Sequence, residues 1–209
     1  MGSGNGTQSQ TGLHAVCAHS ARQMNKVGQN IFLIGPMGSG KTTIGKHLAK
    51  ILMLDFYDCD HELEALTGAS VNLIFDVEGE AGFRLRETRL LKQLSKKSGV
   101  LISTGGGVIC SEENRRVLHS AGFVVYLKTS IEKQLKRLSQ DKSRPLLQAE
   151  DRTQRLLDLA RVRNPLYDAT ADLVFTARSS SVHATAKALS SAILEQVDPL
   201  KPEKPNADS

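Results

Sequence analysis

The chain carries at residues 35–42 the sequence Gly35-Pro36-Met37-Gly38-Ser39-Gly40-Lys41-Thr42. This segment matches the pattern G-x-x-x-x-G-K-[ST], in which glycines let the backbone turn tightly and aim its N–H groups at phosphate oxygens. An apolar run precedes it at Ile31–Ile34, and a helical pattern follows it from Lys41. The positive end of that helix's dipole adds to the attraction for anions. The segment therefore predicts a strand, a phosphate-binding loop and a helix, in that order.

The loop also predicts which residues contact a nucleoside triphosphate. Lys41 is expected to reach the β- and γ-phosphate oxygens, and the Thr42 hydroxyl is expected to bind Mg²⁺. The predicted ATP-binding residues of the loop and the residue after it are Gly38, Ser39, Gly40, Lys41, Thr42 and Thr43. GTPases normally carry an N-K-x-D motif that binds guanine. Here Asn25-Lys26 lies before the loop and lacks the Asp, so this motif is missing. The loop thus predicts a nucleotide ligand but leaves the reaction open.

Short apolar runs alternate with helical patterns over residues 29–197, which predicts an α/β fold with one domain. The predicted strands are Asn30–Ile34, Asp55–Tyr57, Val100–Ser103, Phe123–Leu127 and Asp172–Thr176. The predicted helices are Lys41–Met53, Gly79–Lys96, Ser111–His119, Ser130–Ser139, Asp151–Leu159 and Ser181–Gln196, and the second carries an apolar stripe of Leu85, Leu90, Leu91 and Leu94. Unbroken apolar strands between helices indicate a parallel sheet that is covered on both faces. In such sheets ligands bind beyond the carboxyl ends of the strands.

The two ends of the chain differ in composition from this domain. Residues 1–28 contain no Asp or Glu and are rich in Gly, Ser and Asn, so they bury too little apolar surface to order themselves. An expression leader, a natural disordered arm and an organellar transit peptide all remain open, although only Arg22 and Lys26 are basic. Residues 198–209 contain Pro199, Pro202 and Pro205 and are predicted to be disordered.

The overall composition narrows the class of partner. No apolar run approaches the ~18 residues that span a bilayer, so no membrane partner is expected. The net charge of +5 comes from 27 basic residues scattered among 22 acidic ones, which suits a polyanionic small ligand and gives no reason to expect nucleic acid. Cys17, Cys59 and Cys110 lie far apart, which predicts reduced thiols in the cytoplasm.

Two carboxylates follow the second predicted strand, in the segment Asp58-Cys59-Asp60. One of them could serve Mg²⁺ through water while the other accepts a proton from an acceptor hydroxyl. Alternatively, Asp60 could cap the helical stretch Glu62–Leu66, because Asp is favoured at that position. The two interpretations do not exclude each other, and both stay open.

Glycines and isolated arginines complete the candidate site. Gly105-Gly106-Gly107 ends the third strand, which indicates either close approach of the backbone to a ligand or a sharp turn. Three arginines stand beside prolines or aromatic residues, namely Arg84, Arg144 and Arg163. The planar guanidinium binds carboxylate or phosphate through two hydrogen bonds, although a single Arg is more often a solvated surface residue.

Taken together, these motifs resemble the shikimate kinase family, and the bacterial enzymes most closely. The resemblance covers residues 30 to about 176 and rests on motifs that occur in the family's order and spacing: G-P-M-G-S-G-K-T-T-I-G, F-Y-D-C-D, T-G-A-S with I-F, E-G-E-A-G-F-R, T-G-G-G, R-P-L-L and R-N-P-L-Y. It implies a three-layer fold like that of nucleoside monophosphate kinases, with strand order 2-3-1-4-5 and a mobile lid at about 138–150. It also implies transfer of the ATP γ-phosphoryl group to the 3-hydroxyl of shikimate, with Mg²⁺, on the way to chorismate and the aromatic amino acids.

The resemblance further implies a role for each matching residue. Asp60 would bind the ring hydroxyls and act as base, Asp58 would lie in the Mg²⁺ shell, and Arg84 and Arg163 would hold the carboxylate of shikimate. The remaining implied contacts are the backbone of Gly105–Gly107 and the rings of Phe75 and Phe83 with shikimate, Arg137 with adenine, and Arg144 with the phosphates from the lid.

Three points stay open on the sequence. The segment Arg178-Ser179-Ser180-Ser181 matches no distinctive motif, and Ser180 is a candidate adenine contact there. Chains of this size and class are often monomers, so a monomer is expected. The rival functions are a gluconate or nucleotide kinase on the same fold, and a nucleotide-binding module that acts through protein contacts without catalysis.

Overall fold

A computed structural model describes residues 29–139, 151–179 and 181–197. The predictions for residues 1–28, Arg144, Ser180 and residues 198–209, together with most of the predicted lid, lie outside the described residues. Within the described ranges no helix is long and apolar enough to cross a membrane.

The described residues form one sheet of five strands, all paired in parallel. The strands are β1 (Asn30–Ile34), β2 (Asp55–Asp58), β3 (Val100–Ser103), β4 (Gly122–Lys128) and β5 (Leu173–Thr176). Their order across the sheet is β2-β3-β1-β4-β5, which confirms the predicted topology. Every residue of β1 is buried, as expected for the central strand of a sheet covered on both faces.

Seven α-helices lie between and after the strands in the described ranges. They are α1 (Lys41–Leu52), α2 (Cys59–Thr67), α3 (Val71–Leu94), α4 (Glu112–Ala121), α5 (Ile131–Leu138), α6 (Arg152–Thr170) and α7 (Val182–Val197), with a 3₁₀ turn at Val108–Cys110. Successive side chains of a strand point to opposite faces. Accordingly Ile31 and Leu33 pack with α1 and α7, whereas Phe32 and Ile34 pack with α2, α3, α4 and α6. The predicted three-layer arrangement is confirmed.

Helix α3 departs from the prediction in two ways. A first helical segment from Val71, which was not predicted, precedes Gly79, and Gly79 itself is a non-helical kink with φ of 68°, so the predicted start at Gly79 matches the second segment. In the predicted apolar stripe Leu90, Leu91 and Leu94 are buried, but Leu85 is 61% exposed, so that part of the prediction is wrong. The 3.6-residue period places Phe83, Glu87, Leu90, Leu91 and Leu94 on one face, which leaves Leu85 on the other.

Helix α6 is longer than the predicted Asp151–Leu159. It continues to Thr170 with Pro165 inside it, although proline removes one backbone hydrogen bond from a helix interior. Beyond the proline Tyr167 packs into the core beside the sheet, and before it Leu156 packs against Met37 and Leu138. As a result Arg163 and Tyr167, four residues apart, lie on the same face of one helix.

Candidate active site

The phosphate loop joins β1 to α1 and takes a conformation that depends on glycine. Gly38 and Gly40 have φ of 72° and 96°, in the left-handed region that other residues adopt only under strain. Gly40 precedes α1 and supplies no side chain to cap it, so the N-terminal N–H groups of the helix are left for a ligand. The Lys41 ammonium donates to the carbonyl oxygens of Gly35 and Pro36, at 2.8 and 3.0 Å. The side chain therefore lies along the loop that is predicted to hold the phosphates.

Thr42 and Asp58 come together from two different elements. The Thr42 hydroxyl donates to Oδ2 of Asp58 across 2.7 Å, and the other carboxylate oxygen accepts from the backbone N–H groups of Asp60 and His61. Asp58 is therefore the N-cap of α2. The interpretation of Asp60 as the cap is wrong, because the helix starts at Cys59 and places Asp60 in its first turn.

Between the two aspartates, the Cys59 side chain points into the core. It is buried, and burial raises the pKa of its thiol well above the ordinary value, with Asp60 and Asp58 adding to the effect. The thiol therefore stays protonated at neutral pH and takes no part as a nucleophile or metal ligand. The aspartates are left as the reactive groups of this segment.

A cavity of about 390 Å³ opens over the phosphate loop. Arg137 borders it and donates to the carbonyl oxygen of Gly38 at 2.8 Å, which fixes the guanidinium next to the loop. The lining residues that sequence reasoning predicted are Gly38, Gly40, Lys41, Thr42, Thr43, Asp58, Asp60, Gly106 and Arg137. Ser39 is buried and is not among the residues that line this cavity, and its contact with ATP stays a prediction. We call this space the donor cavity.

The donor cavity is also lined by residues that follow β5, two of them in the segment 177–181 where the adenine contacts were left unassigned and two beyond it that sequence reasoning missed. Ala177, Ser179, Val182 and Thr185 line it where β5 leads into α7. The Thr185 hydroxyl donates to the carbonyl oxygens of Ser179 and Ser181, at 3.3 and 2.8 Å, and so ties the connection to the helix. These residues belong to no recognisable motif. Only their position after the last strand indicated that they could lie at the ligand-binding edge of the sheet.

A second cavity of about 260 Å³ adjoins the first, and we call it the acceptor cavity. It contains every residue predicted to bind shikimate: Asp60, Phe75, Phe83, Arg84, Gly105, Gly106, Gly107 and Arg163. The rings of Phe75 and Phe83 stack with their centroids 4.3 Å apart and form an apolar wall. Asp60 and Gly106 line both cavities, so the two spaces meet at these residues.

Two guanidinium groups reach the acceptor cavity from opposite helices. Arg84 of α3 pairs with Glu87 across 2.7 Å and with Glu80 across 3.1 Å. Arg163 of α6 donates to the carbonyl oxygen of Gly106 across 3.3 Å. A planar anion with two oxygens, such as a carboxylate, suits a cavity that contains two guanidinium groups, because each can donate two parallel hydrogen bonds.

The glycine triplet makes room for these side chains. A Cβ atom on Gly107 would lie 2.2 Å from Nη2 of Arg84, and one on Gly105 would lie 2.6 Å from Oε1 of Glu87. Any side chain at either position would displace a charged group of the cavity. The triplet therefore allows close approach of protein side chains, and contact of this backbone with a ligand stays a prediction.

Glu87 is the acceptor-cavity residue that the sequence did not reveal. It is 3% exposed, and its Oε1 atom has no hydrogen-bond partner among the described residues. Burial raises the pKa of its carboxyl above the ordinary value, and the neighbouring Arg84 partly opposes that shift. The helical period could have placed it on the buried face beside Phe83, had the helix been given its correct phase.

Replacing Glu87 by glutamine is expected to weaken acceptor binding without weakening the fold. A carboxyl whose pKa is raised by folding stabilises the protein most below its ordinary pKa, and that stability is lost as pH rises through the raised value. Glu87→Gln removes this titration, so we expect the thermal midpoint at pH 7 to equal or exceed that of the parent. Loss of the pair with Arg84 should at the same time raise the acceptor KM roughly tenfold.

Thermal unfolding at pH 5 and pH 7 and steady-state kinetics test this expectation. Glu80→Gln is the matched control, because Glu80 also pairs with Arg84 but its side chain is 67% exposed. A variant at Glu87 with parental acceptor KM would contradict the role assigned to the pair.

The parallel sheet, the glycine loop and the two adjoining cavities together define a P-loop kinase that acts on a small molecule. The family model described as shikimate kinase matches residues 37–197. The chain belongs to the shikimate kinase family.

Individual relatives agree with this placement. The chain is 51% identical to a shikimate kinase of Histophilus somni over 174 residues, which is 83% of this chain and 97% of the relative. It is 50% identical to that of Pasteurella multocida over 173 residues, 82% of this chain and 97% of the relative. Among solved structures, shikimate kinase from Acinetobacter baumannii in complex with shikimate has a TM-score of 0.82 and 43% identity, covering 87% of this chain and 99% of that one.

Proposed function

We propose that this chain transfers the γ-phosphoryl group of ATP to the 3-hydroxyl of shikimate, as a step in the biosynthesis of chorismate and the aromatic amino acids. The observation that carries the proposal is the junction of the donor and acceptor cavities at Asp60 and Gly106. A phosphoryl donor on the loop and an acceptor between the two arginines would face each other there. Transfer between two bound molecules needs this kind of positioning more than covalent chemistry.

The donor side is assigned to the loop and the elements around it. Lys41 would exchange its contacts with the Gly35 and Pro36 carbonyls for the phosphate oxygens of ATP. Arg137, fixed beside Gly38, would lie against the adenine end of the nucleotide. Arg144 remains a predicted phosphate contact.

Mg²⁺ is part of the proposal, and the residues present fit it. Thr42 and Asp58 bring a hydroxyl and a carboxylate together at 2.7 Å, and hard oxygen ligands of this kind suit Mg²⁺. Thr42 would be the direct ligand, with Asp58 holding the hydroxyl and receiving hydrogen bonds from metal-bound water. When bound, the ion neutralises charge on the phosphate oxygens.

The acceptor cavity would bind shikimate through the charge of its side chains and through its shape. Arg84 and Arg163 would hold the carboxylate of shikimate, and the stacked Phe75 and Phe83 would pack against its ring. The carboxylate of Asp60, at the junction, would accept hydrogen bonds from ring hydroxyls and take the proton of the attacking one.

Release of ADP with a panel of acceptors tests the function. We expect release with shikimate and only background with gluconate or with nucleoside monophosphates, because the two arginines and the apolar wall match a cyclic carboxylate. Absence of release with shikimate would refute the proposal, and release with another member of the panel would assign the chain to that rival. Nucleotide binding without release for any acceptor would favour the binding module.

Removal of the Arg163 guanidinium should mainly impair acceptor binding. We expect Arg163→Ala to raise the shikimate KM by roughly 10²-fold, since a charge-assisted bidentate contact is lost, while the ATP KM changes little. Arg161→Ala is the control, because Arg161 lies on the same helix with its side chain 80% exposed. An unchanged shikimate KM in Arg163→Ala would show that the carboxylate is held elsewhere.

We also propose that the chain acts as a monomer in the cytoplasm. The cavities proposed for ATP and shikimate are complete without a second copy, and the described cysteines Cys59 and Cys110 are free thiols, the usual state in a reducing compartment. Sedimentation of the active protein over a range of concentrations tests the first point. A mass of twice 22.7 kDa at assay concentration would contradict it.

A further inference from the structure

Tyr167 is a buried polar residue of α6 that the proposed chemistry does not use. Its side chain is fully buried, and its hydroxyl donates a hydrogen bond to the carbonyl oxygen of Gly106. Its ring stacks on that of Tyr126 in β4, with centroids 4.9 Å apart and planes 23° apart. Packing against the sheet thus fixes the ring, and the hydroxyl reaches Gly106 from a rigid part of the molecule.

The carbonyl that Tyr167 holds belongs to the residue shared by the two cavities. In a trans peptide the carbonyl oxygen and the following N–H point in opposite directions. Fixing the oxygen of Gly106 therefore fixes the direction of the N–H of Gly107, which lines the acceptor cavity. Consecutive glycines restrain their own backbone poorly, so an outside contact decides the orientation of this peptide.

The same carbonyl oxygen also accepts from Arg163. That contact measures 3.3 Å, at the long end for an N–H···O bond. If Arg163 turns to a carboxylate in the acceptor cavity, the oxygen of Gly106 loses one donor. A partly buried carbonyl that loses its donors is costly, and the Tyr167 hydroxyl keeps one donor on this oxygen.

We propose that Tyr167 is a positioning residue that holds the Gly106–Gly107 peptide at the junction and, by sharing the Gly106 oxygen, releases Arg163 to bind the acceptor carboxylate. The second half deepens the proposed function and rests on it. The first half concerns the free protein and does not depend on the identity of the acceptor.

Two phenylalanine variants separate this role from ordinary packing. Tyr167→Phe and Tyr126→Phe each delete one hydroxyl and keep the stacked rings, but the Tyr126 hydroxyl donates to Oδ1 of Asn164 at 3.3 Å and not to Gly106. For Tyr167→Phe we expect the shikimate KM to rise about fivefold with the ATP KM essentially unchanged. Tyr126→Phe should keep both constants near those of the parent.

Amide hydrogen exchange in the free protein supplies an independent measurement. The N–H groups of Val108 and Cys110 donate to the carbonyls of Gly105 and Gly107, at 3.3 and 3.0 Å, so they report on the glycine segment. We expect these amides to exchange about fivefold faster in Tyr167→Phe than in Tyr126→Phe, because the peptide between them is no longer held.

The outcomes distinguish the two proposals. Parental exchange in Tyr167→Phe would overturn the positioning role, and so would a lower thermal midpoint with both KM values unchanged. If the parent itself fails to phosphorylate shikimate, the proposed function is refuted, and the exchange measurement still decides whether Tyr167 holds Gly106.

Discussion

Turnover with shikimate should fall below detection when Lys41 is replaced by alanine. The ammonium is the positive charge that the phosphate loop itself supplies, and its side chain is 9% exposed, where charge interactions are stronger than in open water. Negative charge builds up on the β- and γ-phosphate oxygens while the bond to the leaving oxygen breaks. Without Lys41 no ammonium stabilises that charge. A loss of at least roughly 10³-fold in kcat is expected, in line with removal of a preorganised charged donor.

Two further variants make this result interpretable. In the free protein Lys41 also bonds to Gly35 and Pro36, so Lys41→Met, which keeps most of the apolar stem, separates loss of charge from loss of packing. Lys46→Ala removes an exposed lysine from the same helix and should leave turnover unchanged. Steady-state release of ADP and a thermal unfolding curve are measured for each. Turnover near the parental value in both Lys41 variants would remove this residue from the mechanism.

The features that could be predicted from sequence are those that local chemistry determines. Positive φ at Gly38 and Gly40 needs glycine whatever surrounds it, and a buried central strand needs the unbroken apolar run at Ile31–Ile34. The rule that ligands bind beyond the carboxyl ends of parallel strands then placed Asp58 and Gly106 at one edge of the sheet. The fold and the two halves of the candidate site follow from these few constraints.

Features that depend on helix phase or on distant contacts could not be predicted in this way. The starting residue of α2 decides whether Asp58 or Asp60 is the cap, and a shift of two residues exchanges their roles. Glu87 lies three residues after Arg84 on α3, so the two side chains meet on one face of the helix, but its burial in the cavity depends on how that face packs against the rest of the fold.

The contact between Tyr167 and Gly106 shows the same limitation at longer range. It joins residues 61 positions apart and requires α6 to continue past Pro165. A proline usually ends a helical prediction, so the sequence pattern stops short of the residue that makes the contact. Packing of the rings of Tyr126 and Tyr167 favours the continued helix, and that is a property of the assembled core.

Replacing Asp60 by asparagine should separate nucleotide binding from phosphoryl transfer. The amide occupies almost the same volume and can still hydrogen-bond to a hydroxyl, but it does not accept a proton at neutral pH. Because Asp60 is the carboxylate that lines both cavities, we propose that it receives the proton of the attacking hydroxyl. Turnover with shikimate should fall by about 10²–10⁴-fold, the usual contribution of a general base.

Nucleotide affinity is the property that should survive in this variant. The predicted ATP contacts come from the loop, Arg137 and Arg144, so calorimetric titration of Asp60→Asn with ATP should give a Kd within about threefold of the parent, a change of well under 1 kcal/mol. Asp55→Asn is the matched control, because Asp55 is exposed at the start of β2, away from the end that leads into α2 and Asp60, and should change neither quantity. If Asp60→Asn kept turnover within a few-fold of the parent, the proton of the acceptor hydroxyl would have to leave by another route. If ATP affinity fell as much as turnover, Asp60 would instead be part of the donor site. A residue that acts only as a base does not contact the nucleotide, so its replacement should not weaken ATP binding.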